Sequence, residues 1–272
     1  MILQTTGGML TDLAKSAESL GRDDVLLELK DDRLLTMIKG IENTSMFAAR
    51  IPDKGVEKYE RRGEDILGLP ANKIIDFSPK KNENVQLTYE DHKFSLSNGD
   101  YTATFNAVNE DYIEGSMDNT IDIEWPIDVT GQFEEVGNFI GKASNIVGEE
   151  TFIVGGREDG LYLMSKLDDS ELHTRIPWDD FDKTNLDWSH SDSSVGDKAS
   201  DSVFSTEFFK NLYFPSDASG GFRMNFGEGC PLRVIAQKSG GVDFVYILTP
   251  RVSTESNSRI MSIPDRVTQQ YD

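Results

Sequence analysis

The groups in this chain that could carry acid–base, nucleophilic or metal chemistry are three histidines, one cysteine and a large excess of carboxylates. Their spacing assembles none of these chemistries. His92, His173 and His190 lie too far apart for a metal-ligand pattern; His92 reads as a turn residue and His190 as part of a polar loop. Cys230 stands alone, which excludes a disulfide framework and a thiolate metal site, and it reads as a small residue near a strand start. There is no phosphate-cradling Gly-rich motif and no nucleophile elbow, and Gly155-Gly156 and Gly220-Gly221 read as turns. Acidic pairs such as Asp179-Asp180 single out nothing in a chain this acidic. Neither catalysis nor a cofactor is expected. What recurs is lysine: Lys15 and Lys142 occupy matching places in a repeated pattern, and so do Lys73 and Lys210. Arg22 follows the first of these segments, and Lys80 and Lys81 follow the second. A lysine on a helix is ordinarily a solvated residue. Recurrence in two copies asks for more.

The repeat positions those lysines. Leu13-Ala14-Lys15-Ser16-Ala17 through Leu20-Gly21 matches Ile140-Gly141-Lys142-Ala143-Ser144 through Val147-Gly148 at an offset of 127 (142 minus 15). The same offset lays Asp32-Arg33-Leu34 on Asp159-Gly160-Leu161 and Met37 on Met164. Further on, Leu67-Gly68-Leu69-Pro70 through Lys73 matches Phe204-Ser205-Thr206-Glu207 through Lys210 at an offset of 137 (210 minus 73). The second copy must therefore carry an insertion, and the Ser/Asp-rich stretch from Leu186 to Ser202 reads as an exposed loop that supplies it.

Each copy repeats one order of elements. Apolar residues at spacings of three to four predict helices over Gly8–Leu20 and Gln132–Val147, with second helices over Ala71–Phe77 and Thr206–Tyr213. Pro70 suits a first-turn position and Ser205 an N-cap. Strands are predicted at Val25–Leu29, Leu34–Met37, Val85–Tyr89 and Tyr101–Phe105. Their counterparts in the second copy lie at Thr151–Val154, Leu161–Met164, Phe222–Phe226, Leu232–Ala236 and Phe244–Leu248. Helices set among hairpins, without βαβ alternation, make the fold class α+β. The domain reading is 1–116, a connector at 117–124, 125–252, and a loosely ordered tail at 253–272.

Charge bounds the setting. Asp and Glu number 48 against 27 Lys and Arg, a net charge of −21 over 272 residues. The regularly spaced Val, Ile, Leu and Phe exclude a disordered acidic chain. A solvated acidic surface suits high salt, where screening over ~3 Å at 1 M removes self-repulsion. An acid-rich surface in ordinary salt is the alternative. Met1-Ile2-Leu3-Gln4 lacks a signal-peptide flank, and no apolar run approaches the ~20 residues of a membrane span, so the expectation is a cytoplasmic protein. Such acidity alone argues against nucleic acid.

The C-terminal stretch Phe226-Gly227-Glu228-Gly229-Cys230-Pro231-Leu232-Arg233-Val234, followed by Val245-Tyr246-Ile247-Leu248-Thr249-Pro250-Arg251-Val252, resembles the closing signature of sliding clamps of the proliferating-cell-nuclear-antigen (PCNA) family. Lys39-Gly40-Ile41-Glu42-Asn43 through Met46 resembles the family's central loop, with Glu42 where Asp is usual. Order, spacing and duplication over residues 1 to 252 point the same way, to a halophilic archaeal or archaeal-virus member. The resemblance implies a DNA-clamp fold and a homotrimeric ring closed by pairing about Glu110–Gly115 with about Glu171–Pro177. It also implies encircled double-stranded DNA, without sequence readout, and helices that line the channel. Lys15, Arg22, Lys73, Lys80, Lys81, Lys142 and Lys210 would face the DNA as sparse phosphate contacts. Polymerase, clamp loader, ligase and nuclease would dock through short peptides carrying a Gln and paired aromatics. Their pocket would be formed by Ile41, Ser45, Met46 and Ala48 of the central loop, Ile121 and Ile123 of the connector, and Pro231, Ile247, Thr249 and Pro250. Two other readings stand beside the processivity clamp: a subunit of a heteromeric or checkpoint ring, and an acidic β-rich hydrolase working through paired carboxylates.

Overall fold

The structure is a computed structural model that describes residues 1–40, 44–63, 65–109, 111, 113, 123–131, 134–146, 151–188, 200–205 and 221–250. The chain forms two compact units: 1–120 with 212–220 and 236–246, and 121–211 with 221–235 and 247–272.

The first unit opens with β1 (Ile2–Thr6) and passes directly into α1 (Gly7–Ser19), where the Thr6 hydroxyl accepts from the Met9 N–H and caps the helix. Strands β2 (Asp24–Leu29), β3 (Arg33–Lys39) and β4 (Ser45–Pro52) follow as an antiparallel meander, then β5 (Lys58–Glu60) and β6 (Ile66–Pro70). α2 (Ala71–Phe77) starts at Pro70, which serves as the N-cap and not as a first-turn residue. β7 (Asn84–Glu90), β8 (Lys93–Ser97) and β9 (Thr102–Asn106) complete the unit. β5-β1-β7-β8-β9 form one sheet, in which β9 is an edge. The described strands of this copy end with β9, Thr102–Asn106; of the expected 110–115, positions 110, 112, 114 and 115 lie outside the described residues. Asp111 and Ile113, the described residues in that stretch, lie outside any strand.

The second unit repeats the order: β10 (Ile127–Gly131), α3 (Glu134–Ile146), β11 (Thr151–Arg157), β12 (Gly160–Leu167), β13 (Ser170–Pro177), β14 (Lys183–Leu186), β15 (Ser200–Phe204), β16 (Phe222–Phe226), β17 (Leu232–Lys238) and β18 (Val242–Leu248). A short 3-10 turn follows β4 at Asp53–Gly55 and β13 at Trp178–Asp180, so the duplication reaches even the minor elements. β13-β12-β11-β15 form a sheet with β13 as an edge. The ends of the polar insertion are strands, β14 and β15; 189–199 lie outside the described residues, as do the expected second helix at 206–213 and the tail. Gly155 and Gly156 are not a turn. They lie inside β11, where a side chain on Gly156 would come within 2.3 Å of Ile127 Cδ1 and meet the Trp188 ring.

The tip of the β17–β18 hairpin, within 236–246, belongs to the first unit and completes its core. α1 buries Leu10, Leu13, Ala14 and Ala17, and on the same side Asp12 and Ser16. The Asp12 carboxylate takes a hydrogen bond and ion pair from Lys238 Nζ, with 8% and 7% of the side chains exposed. Ser16 donates to the Asp12 carbonyl four residues back at 2.7 Å, so the Tyr246 hydroxyl donates to Ser16 Oγ, also at 2.7 Å. Phe47 of β4 stacks on Phe244 and Tyr246 at 5.7 and 5.1 Å. Removing one partner of a buried pair strands the other charge, at a cost of about 3–5 kcal/mol, whereas an apolar pair of similar shape can be neutral. Asp12→Ala is therefore expected to destabilise the protein by about that amount in urea unfolding, and Asp12→Leu with Lys238→Met to recover most of it. Equal losses in the single and double variants would show that the pair contributes nothing specific.

Candidate functional site

The solvent faces of the three described helices follow from what each buries. On α1 the face opposite Leu10, Leu13 and Ala17 carries Thr11, Lys15 and the exposed Glu18. α2 packs on α1 and exposes Asn72, Lys73 and Asp76, with Lys73 Nζ at 3.5 Å from the Asp76 carboxylate. α3 buries Val136, Phe139 and Ala143 and exposes Glu134, Glu135, Asn138 and Lys142; the two glutamates sit in its first turn, where the helix dipole favours them. Lys15, Lys73 and Lys142 thus share the helix surfaces with Glu18, Asp76, Glu134 and Glu135. These faces are sparse and mixed in charge. Lys210 lies outside the described residues.

Of the other expected cations, Arg22 has a local structural task. Arg22 donates through Nε to the Lys39 carbonyl at 2.9 Å, tying the turn after α1 to the end of β3. Lys81 accepts at its own carbonyl from the Gly8 N–H at 2.9 Å and so fixes the α2–β7 turn against the start of α1, while Lys80 is exposed in that turn. In this turn the backbone does the binding. It closes a cavity of about 460 Å³ whose lining includes Lys54, Lys81 and Lys238 with Glu57.

For the partner pocket, the first unit supplies Ser45, Met46 and Ala48, which belong to strand β4 and not to a loop. The alternation of a strand sets their sides: Ser45 is buried, while Met46 and Ala48 are half-exposed and pair with Lys39 and Met37 of β3. Ile41 and Ile121 lie outside the described residues. The second unit supplies half-exposed Ile123, Pro231, Ile247 and Pro250, with Thr249 exposed. Spacing did not reveal the residues that organise this end of the unit. Trp125 Nε1–H donates to the Pro231 carbonyl at 2.7 Å, and the Arg233 guanidinium lies 3.9 Å from the Trp125 ring centroid. A tryptophan just after the connector, and an arginine two residues past Pro231, were the available signals.

Among the described residues no group of three or more His, Cys, Asp or Glu could hold a metal ion. His173 sits on β13 and His92 in a turn at φ 62°, and burial pushes the Cys230 thiol up, away from the reactive thiolate. No helix among these residues is long and apolar enough to cross a membrane.

No protein-family model and no curated protein matches the chain in sequence. Solved structures do. The chain is similar to A. fulgidus PCNA bound to the C-terminal region of FEN-1, with a TM-score of 0.79 and 18% identity over 93% of this chain and 99% of that one. It is similar to PCNA from Thermococcus kodakaraensis, with a TM-score of 0.75 and 11% identity over 92% of this chain and 99% of that one. The PCNA2–PCNA3 complex from Sulfolobus tokodaii matches with a TM-score of 0.74 and 17% identity, over 92% and 99%. The fold is that of the PCNA sliding clamps. Within this clamp fold Arg22 holds a backbone carbonyl, so Arg22→Ala is expected to lower stability by about 1–2 kcal/mol in urea melts, while Lys73→Ala at an exposed position stays within about 0.5 kcal/mol. The reverse order would return Arg22 to the solvent-facing set.

Proposed function

We propose that this chain is a clamp subunit that closes into a ring of three copies around double-stranded DNA and serves polymerase as a processivity factor. Without chemistry of its own, it would hold clamp loader, ligase and nuclease through short peptides at Met46, Ala48, Pro231 and Ile247. The observation that carries this reading is the match of fold along 93% of the chain to a clamp bound by a partner's C-terminal region. Two features of the chain support it. β9 and β13 are both sheet edges, with Tyr101 at the head of β9 exposing 72% of its surface. An uncovered edge strand invites pairing, and two different edges join head to tail, which closes a ring when the rotation fits. The mixed helix faces also answer the charge objection. Sparse lysines among carboxylates give weak contacts blind to sequence, and salt weakens them further. Enclosure would then hold the DNA, as suits a cytoplasmic clamp at high ionic strength. The PCNA2–PCNA3 complex favours one second reading, a subunit of a heteromeric ring.

Light scattering in molar salt is expected to give three times the 30.4 kDa chain mass, and Tyr101→Asp to shift the population toward monomer with an unchanged circular dichroism spectrum. A monomer that assembles only with a second clamp protein would select the heteromeric ring. Replacing Lys15, Lys73 and Lys142 together by glutamate is expected to shorten retention on nicked circular DNA most at low salt, with the oligomer intact. Unchanged retention at low salt would remove these lysines from the DNA contact.

A further inference from the structure

In the second unit, the outer face of β10, β16 and β17 carries two arginines in unlike circumstances. Arg223 is satisfied: its Nε donates to Asp128 Oδ1 at 2.8 Å and its Nη2 pairs with Oδ2 of the same carboxylate. Arg233 pairs with no carboxylate among the described residues. Its Nε donates to Oδ1 of Asn225, a residue only 1% exposed, at 2.9 Å, and its plane rests on Trp125. The indole is itself fixed, because its N–H is held by the Pro231 carbonyl. The ring below and the amide beside it thus set the guanidinium plane and use one donor, while both Nη groups make no hydrogen bond or ion pair among the described residues. Burial first, and then the charge of Arg223, pull the Arg233 pKa below the ordinary guanidinium value; Asp128 acts the other way without cancelling them. In a chain with 48 carboxylates against 27 cations, a half-buried arginine that pairs with no described carboxylate is a fork presented to something else.

We propose that Arg233, held flat on Trp125 beside Pro231, is the receptor for a carboxylate side chain of the docking peptide and makes this clamp select acidic partner segments. The inference rests on the peptide-docking reading of the Pro231 region. A planar guanidinium with two donors aligned matches a carboxylate in the bidentate manner, and a preset plane lowers the ordering cost of the pair. The acidic surface around it repels such a peptide everywhere else, so the gain at Arg233 appears as selectivity.

The test uses the full-length protein and two synthetic fluorescent peptides, each with a glutamine followed by paired aromatics. One carries glutamate on both flanks and the other glutamine at the same positions. The glutamate peptide is expected to bind about tenfold more tightly. Arg233→Gln is expected to erase that ratio while leaving the affinity for the glutamine peptide within about twofold, and Arg233→Lys to restore only part of it, since an ammonium lacks the fork. Light scattering and tryptophan fluorescence verify that each variant keeps its assembly and the Trp125 environment. Equal affinity for both peptides, or a ratio that survives in Arg233→Gln, would overturn the proposal. If neither peptide binds the unaltered protein, the docking reading itself fails, and the inference falls with it.

Discussion

The first unit depends on a charge pair that its own sequence segment cannot complete. Asp12 lies on the buried side of α1, where a carboxylate without a partner is costly, and its cation comes from Lys238, 226 residues downstream. The first unit can therefore close its core only once the segment around Lys238 is present. The Tyr246–Ser16 hydrogen bond and the stacking of Phe47 on Phe244 and Tyr246 act in the same place. Polar groups in a core cost stability when half-satisfied and favour one register when fully satisfied. Here they fix which segment returns to α1.

Electrostatics elsewhere follow a different rule. Most ion pairs among the described residues are exposed, such as Arg33 with Asp32 and Lys58 with Glu60, and each contributes little to stability. Their value in so acidic a chain lies in dispersing charge. The exposed helix faces carry cations and carboxylates together, which makes firm binding to phosphate unfavourable and leaves contacts that salt readily weakens. Against that background the two half-buried arginine sites stand apart. Arg157 is held bidentately by Asp201, with 12% and 7% of the side chains exposed, whereas Arg233 is held by a ring and an amide. Both are rigid, but among the described residues only the first meets a carboxylate.

Much of the architecture was legible because it rests on local periodicity. The apolar spacing of α1 and α3 and the alternation of β3 survive into the structure with shifts of one or two residues at their ends. Local pattern misled where tertiary contact overrode it. Gly155-Gly156 looks like a turn because glycine usually marks one, yet Ile127 and the Trp188 ring demand an absent side chain inside β11. Ser45, Met46 and Ala48 look like loop residues because a glycine and a polar run precede them, yet β3 draws them into a ladder.

For the candidate sites the division is sharper. By itself the sequence determined the duplication, the α+β class, the acidic character and the matched lysines, since each is a property of residue types at fixed separations. Only the tertiary structure decided that Arg22 holds a backbone carbonyl, that Lys238 neutralises Asp12, and that Arg233 lies on Trp125. Those outcomes depend on contacts between residues up to 226 positions apart, and no separation along the chain encodes which of 27 cations meets which of 48 carboxylates. Folding makes that choice by burial, because a charge leaves water only where a partner already waits.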